Sequence, residues 1–115
     1  MSPKIHSSSF PPAPFHDRSV FSDLFNLRVD PSDVGGFTGC HPAYIDAATG
    51  TTITRTQTKK LALSFAYGIK HHPSLQAKKG DTLLIYSENS LMWPVVLFGA
   101  GEFVNIWISN NDTIL

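Results

Sequence analysis

The chain lacks a charge excess of either sign, a cysteine pair, and any long apolar run. Nine basic and nine acidic side chains cancel to a formal net charge of zero over 115 residues. That leaves no electrostatic footprint for nucleic acid or an anionic membrane surface. Five histidines change this little near neutral pH. Cys40 stands alone, which excludes an internal disulfide and a cysteine-based metal cluster. A lone cysteine is a nucleophile only with a base beside it in space, so Cys40 reads as a buried or incidental thiol. No segment approaches the run of about 18 apolar residues that spans a membrane. The opening MSPKIHSSSFPPAP has no apolar h-region and is not a secretory signal. With 42% hydrophobic and 16% charged residues, the composition is ordinary for one globular domain, and the missing signal and apolar run fit a cytoplasmic compartment with no membrane span; no nucleic-acid partner is expected.

Residues 1–14 hold Ser7, Ser8 and Ser9 with Pro3, Pro11, Pro12 and Pro14, and little that could form a core. They read as a disordered or extended lead-in. A proline-rich docking ligand is the alternative, but Pro11-Pro12-Ala13-Pro14 stands beside Phe15 and His16 without flanking basic residues. From Phe15 to Arg28, Val20, Phe21, Leu24 and Phe25 line one side of a short helix with Ser19 as N-cap. Asp30–Gly39 (DPSDVGGFTG) is crowded with turn formers and reads as a loop.

The pattern sharpens between Pro42 and Ala100. Ala43–Asp46 and Thr51–Thr54 read as the arms of a hairpin around Ala48-Thr49-Gly50. Thr56 is placed as the cap of a helix whose stripe is Ala62, Phe65, Ala66 and Ile69, with Lys59, Lys60 and Ser64 off it. Lys70, His71 and His72 end that helix, where cations favour the dipole, and Pro73 stops it. Neighbouring helical residues point about 100° apart, so His71 and His72 do not easily share one metal ion. Lys78-Lys79-Gly80-Asp81 is a tight turn, and Thr82–Ser87 (TLLIYS) is a run typical of strands buried on both faces in parallel sheets. Asn89 or Ser90 then caps a helix carrying Pro94 in its first turn and Met92, Val95, Val96 and Gly99 on one face. Gly99-Ala100-Gly101 closes a helix instead of opening one after a strand, which removes it as a dinucleotide loop. No GxxxxGK[ST] occurs, and Asn111-Asp112-Thr113 matches a glycosylation acceptor only by chance. The order strand, helix, strand, helix defines an α/β unit.

These pieces resemble the N-terminal start of the adenylate-forming (AMP-binding) acyl- and aryl-CoA ligases, the superfamily that includes 4-coumarate–CoA ligase. The resemblance is carried by Tyr44-Ile45-Asp46-Ala47 with Thr49-Gly50-Thr51, then Leu61 and Ala66-Tyr67-Gly68-Ile69. It continues through Lys79-Gly80-Asp81, Ser87-Glu88-Asn89-Ser90 and Pro94–Ala100. No single piece is specific; their order and spacing carry the match over about half the chain. Thr54-Arg55 departs from it, since the family usually has an aromatic residue there.

The resemblance implies a partial N-terminal subdomain of the adenylate-forming fold: hairpin, helix, buried strand and helix behind an extended lead-in. It divides the chain into a lead-in at 1–14, an incomplete ligase portion at 15–100 and a non-family tail at 101–115. It also implies a two-step reaction in which ATP and a small carboxylic acid give an acyl-adenylate, from which CoA displaces AMP. ATP, Mg²⁺ and CoA are thus the cofactors of the full-length family. Its phosphate loop, its adenine and Mg²⁺ motifs, its ribose-binding Asp and its mobile-domain Lys have no counterpart in this sequence. No catalytic, cofactor-binding or metal residue can therefore be assigned, and the chain is expected to bind no cofactor and to be inactive alone. The tail, from Gly101-Glu102-Phe103 through VNIWISNNDTIL, is expected to come from a truncated gene model or a retained intron, because codons for Gly-Glu-Phe can contain GTGAGT. Two alternatives stand beside this: a small non-enzymatic α/β interaction module, and a truncated paralogue that binds a full-length ligase.

Overall fold

The computed structural model describes residues 9–14, 17–25, 32–101 and, as backbone, 105–109. The lead-in at 1–8, residues 26–31 at the start of the expected loop, and residues 102–104 and 110–115 of the tail, with Asn111, lie outside the described residues. Residues 9–14 belong to no helix or strand and are exposed.

Helix α1 (Val20–Phe25) begins where Ser19 accepts the backbone N–H of Ser22 on its hydroxyl (3.1 Å) and that of Asp23 on its carbonyl (2.9 Å). Ser19 is thus the cap that its residue type suggested. Only Phe21 and Phe25 of the expected stripe are buried; Val20 and Leu24 face outward. A six-residue helix with two buried positions shows one narrow edge to the core.

The Asp30–Gly39 segment is more regular than a loop. Strands β1 (Asp33–Val34) and β2 (Phe37–Thr38) pair antiparallel around Gly35 and Gly36, whose φ angles are +64° and +76°. Two successive positive φ values are what a tight hairpin turn needs, and glycine adopts them without steric penalty. A Cβ at Gly35 would also collide with the Leu24 carbonyl oxygen, so the turn lies directly against α1.

Strands β3 (Pro42–Ile45) and β4 (Thr52–Thr54) form the expected second hairpin, with Tyr44 opposite Ile53 and Ile45 opposite Thr52. Helix α2 (Arg55–His71) starts two residues earlier than a Thr56 cap would place it. Thr54 is the cap: its hydroxyl accepts from Gln57 N–H (3.2 Å), and the Gln57 side-chain oxygen accepts from Thr54 N–H (2.8 Å). This reciprocal box satisfies two donors that one Thr56 hydroxyl could not. The helix ends at the cap His72, whose N–H reaches the Gly68 carbonyl, with Pro73 next.

Strand β5 (Thr82–Tyr86) follows the turn in which Lys78 N–H bonds the Asp81 carboxylate (2.9 Å) and Gly80 takes φ +99°. Helix α3 (Trp93–Ala100) carries Pro94 in its first turn. Its N-cap position is Met92, without a side-chain cap; Ser90 instead holds the preceding turn, accepting from Met92 N–H on its hydroxyl (3.3 Å) and from Trp93 N–H on its carbonyl (3.1 Å). Strand β6 (Asn105–Ser109), in the tail, pairs parallel with β5 from Thr82↔Asn105 to Tyr86↔Ser109.

The architecture is α/β: two small antiparallel hairpins, one parallel pair and three helices among the described residues. The core gathers Phe21, Phe25, Val34 and Ala62, with Phe98 of α3 packed against it. The Phe25 and Phe98 rings meet edge to face at 5.1 Å, and Phe21 lies 4.8 Å from Phe25. Helix α2 packs along α3. Gly99 permits this approach, since a Cβ there would sit 2.5 Å from the Ala62 carbonyl oxygen.

The β5 run is buried on one face only. Ile85 is 8% exposed and Leu83 half-buried, whereas Leu84 is 65% and Tyr86 60% exposed. Among the described residues no layer covers the second face of this two-stranded sheet. No helix among the described residues is long and apolar enough to cross a membrane.

Candidate functional site

A concavity of about 880 Å³ lies between the β3–β4 turn and the start of α3. Ile45 and Asp46 form one side; Met92, Trp93, Leu97 and Phe98 form the other. Its walls are mostly apolar. Among the described residues Asp46 is the one carboxylate lining it, and that carboxylate is committed to its own turn. Its Oδ1 accepts from Ala48 N–H at 2.8 Å, while the Asp46 backbone exchanges bonds with Thr51 and Gly50 at 2.8 Å each. Gly50 completes the turn at φ +72°. The Ala48 N–H, followed by the Thr49 hydroxyl, holds the Asp46 carboxyl below the ordinary aspartate value. Tyr44, on the same wall, has its phenol pushed up by burial, with the Arg55 charge acting the other way. The indole N–H of Trp93 is buried with no hydrogen-bond partner among the described residues.

A second concavity of about 510 Å³ is lined by Asp33, Cys40, Thr56, Lys59 and Lys60, among others. Cys40 is exposed, which removes the buried alternative of its reading as a buried or incidental thiol. It follows Gly39, whose N–H and carbonyl hold Ser32 and Thr56, so the backbone there is fixed while the thiol points outward. Among the described residues no histidine lines this cleft, and the Lys59 ammonium donates to the Phe25 carbonyl at 3.0 Å.

The two adjacent histidines have separate partners. His71 Nδ1 lies 2.9 Å from the Tyr67 carbonyl, and its ring stacks on Tyr67 at 4.0 Å. His72 Nδ1 accepts from Ser74 N–H at 3.2 Å. Among the described residues no group of three or more His, Cys, Asp or Glu side chains could hold a metal ion. Gly99-Ala100-Gly101 closes α3, with Gly101 as its C-cap, and opens no helix.

Sequence reasoning did not single out Trp93 or the groove beside it. Neither has a short motif, because the groove is made by two segments more than forty positions apart. Compared with known proteins, the chain matches no family model, no curated protein and no solved structure.

Proposed function

We propose that this chain is the N-terminal scaffold portion of an AMP-forming acid–CoA ligase of the acyl/aryl type, inactive by itself. One observation carries the proposal: the residues of the resemblance occupy positions where the backbone needs those residue types. Asp46 and Gly50 close the β3–β4 turn, and Gly80 and Asp81 close the turn before β5. Pro94 sits in the first turn of α3, and Gly99 lets α3 approach α2. A motif set made of turn and packing residues supports scaffold and not chemistry. The exposed Leu84 and Tyr86 support it as well, as the face of a sheet that expects further layers. Within this proposal the substrate class is a small carboxylic acid, ATP, Mg²⁺ and CoA act on the full-length enzyme, and the compartment is the cytosol.

Two measurements test it. The purified chain, given ATP, Mg²⁺, CoA and a panel of aromatic and aliphatic acids, should release no pyrophosphate; acid-dependent release would refute its inactivity. The genomic region after the Leu115 codon should encode a Ser/Thr/Gly-rich phosphate loop, and a region without one counts against the ligase assignment. A second reading, a small non-enzymatic interaction module, is favoured by the uncharged β5 strand with its exposed leucine and tyrosine. Cooperative unfolding of the isolated chain supports that reading.

A further inference from the structure

We infer that the cavity between α1, the β1–β2 hairpin and the start of α2 is a docking site for the C-terminal end of a partner polypeptide. Arg55 takes the terminal carboxylate and the cavity takes the last, apolar side chain. The inference rests on that cavity and not on the ligase reading. The cavity measures about 190 Å³. Sites for drug-sized ligands and cofactors run to about 300–1,000 Å³, so this one admits a single side chain. Leu24, Ala43, buried Phe25 and half-buried Phe98 give it apolar walls. Asp23, Tyr44 and Arg55 are its ionisable groups.

Arg55 is a cation that the fold positions but does not neutralise. Its guanidinium lies over the Phe37 ring, 4.3 Å from the centroid, and among the described residues no carboxylate stands within ion-pair distance of it. Stacking uses the guanidinium face and leaves its edge N–H donors for a planar acceptor. Arg55 is half-buried, and a charge that has given up part of its hydration gains most from a carboxylate held by two parallel N–H bonds. Tyr44 adds a donor at the same place. Its phenol, pushed up by burial, keeps its proton, and the Arg55 charge acts on it the other way, which puts the two groups together. The Asp23 carboxylate faces Arg18 at 3.9 Å and is half-exposed, so it can accept a backbone N–H of the bound residue. An acceptor beside two donors suits a peptide end and opposes a multiply charged anion such as a phosphate group. The occupant is a chain end because of spacing. The last residue of a polypeptide carries a carboxylate and a side chain on one Cα. In an extended internal segment neighbouring side chains point to opposite faces, so an internal Asp or Glu on Arg55 would turn its apolar neighbour away from the cavity. Capture of a C-terminal carboxylate is a recurring mode of peptide recognition.

Titration of the chain with acetyl-Gly-Ser-Gly-Leu bearing a free carboxylate should shift the amide NMR signals of Tyr44, Arg55 and Phe98. The same peptide as its C-terminal amide should bind about ten-fold more weakly or worse, since it loses the charge-assisted pair. Acetyl-Gly-Ser-Gly-Gly, without the side chain, should also bind more weakly, as should isocaproate, which brings no N–H to Asp23. Arg55→Gln should lose about ten-fold or more in affinity for the free-carboxylate peptide, and Arg55→Lys, which keeps the charge without the fork, should fall between. Lys79→Gln removes the same charge from an exposed turn outside the cavity and should bind like the parent. The acid and amide peptides compared on the parent chain decide the matter even where Arg55→Gln unfolds. No binding by the parent, equal binding of acid and amide, isocaproate binding as tightly as the peptide, or full binding by a folded Arg55→Gln would each overturn the proposal. So would shifts confined to residues outside the cavity.

Discussion

A single methyl group added at Gly99 should destabilise the protein, although alanine is the better helix former. Gly99 lies in the last turn of α3, where the helix rests on α2. In an open helix position, Gly→Ala gains about 1 kcal/mol. At Gly99 the new Cβ would stand 2.5 Å from the Ala62 carbonyl oxygen and 3.0 Å from Cδ1 of Phe65. Carbon–oxygen contacts settle at about 3.3–3.6 Å, so the helices must part by nearly 1 Å. A gap of that size forfeits a quarter to a half of the dispersion energy along the contact. Overpacking typically costs about 1–3 kcal/mol, and the upper end applies where the obstacle is backbone and cannot rotate away. Subtracting the propensity gain leaves a net loss of about 2 kcal/mol, or a melting temperature lower by about 8 °C for a domain near this size.

Gly68 provides the control. It lies in α2, is exposed, and a Cβ there meets nothing within 4 Å. Gly68→Ala should therefore gain up to about 1 kcal/mol and raise the midpoint by about 4 °C. Thermal and urea melts followed by far-UV circular dichroism, at one protein concentration so that association contributes equally, give both values. The two glycines should move stability in opposite directions. Gly99→Ala at or above the parent, with Gly68→Ala stabilised as stated, would show that α3 does not rest on α2 at this point.

Three further outcomes follow from the fold. Thr54→Ala removes the hydroxyl half of the α2 capping box and should cost about 1 kcal/mol, while Thr56→Ala should cost markedly less; equal losses in urea melts would contradict the cap assignment. The Asp46 carboxyl should titrate below 3.8 by NMR, because the Ala48 N–H and the Thr49 hydroxyl favour its charged form. A folded-state pKa lowered in this way gives stability that is full above the unfolded value and lost as pH falls through the folded one, so Asp46→Asn should flatten stability against pH below about 4, and a midpoint at or above 3.8 would contradict this. Phe25→Ala should cost about 3–5 kcal/mol and leave little folded protein, and Phe98→Ala added to it should cost less than it does alone, by the roughly 0.5–1.5 kcal/mol of the shared ring contact.

The β3–β4 hairpin, α2, β5 and α3 are legible in the sequence because each is announced by local chemistry. Asp46 and Gly50 mark a turn, Pro73 a helix end, Gly80-Asp81 a strand start and Pro94 a helix start. The errors arise where one local signal competes with another. Thr54 and Thr56 are both fair caps, and Gln57 three residues after Thr54 decides between them. Gly35-Gly36 reads as loop by composition but as hairpin by spacing, since it separates Asp33-Val34 from Phe37-Thr38 by two residues. The groove beside Trp93 could not be read at all, because no local rule predicts which distant segments α2 and α3 bring together.

Strand β6 was overlooked for a different reason. The segment 105–109, Asn-Ile-Trp-Ile-Ser, alternates isoleucine with other residues and is rich in β-formers, so its strand character is present in its own pattern. It continues no family motif, and family likeness is not a test of backbone preference. Its pairing with β5 has a consequence for both readings of the chain. An apolar strand such as β5 needs at least one neighbour to satisfy its backbone, and a parallel neighbour must return across a helix, as β6 does after α3. The tail therefore supplies what any α/β unit ending at α3 would still require, whatever its origin.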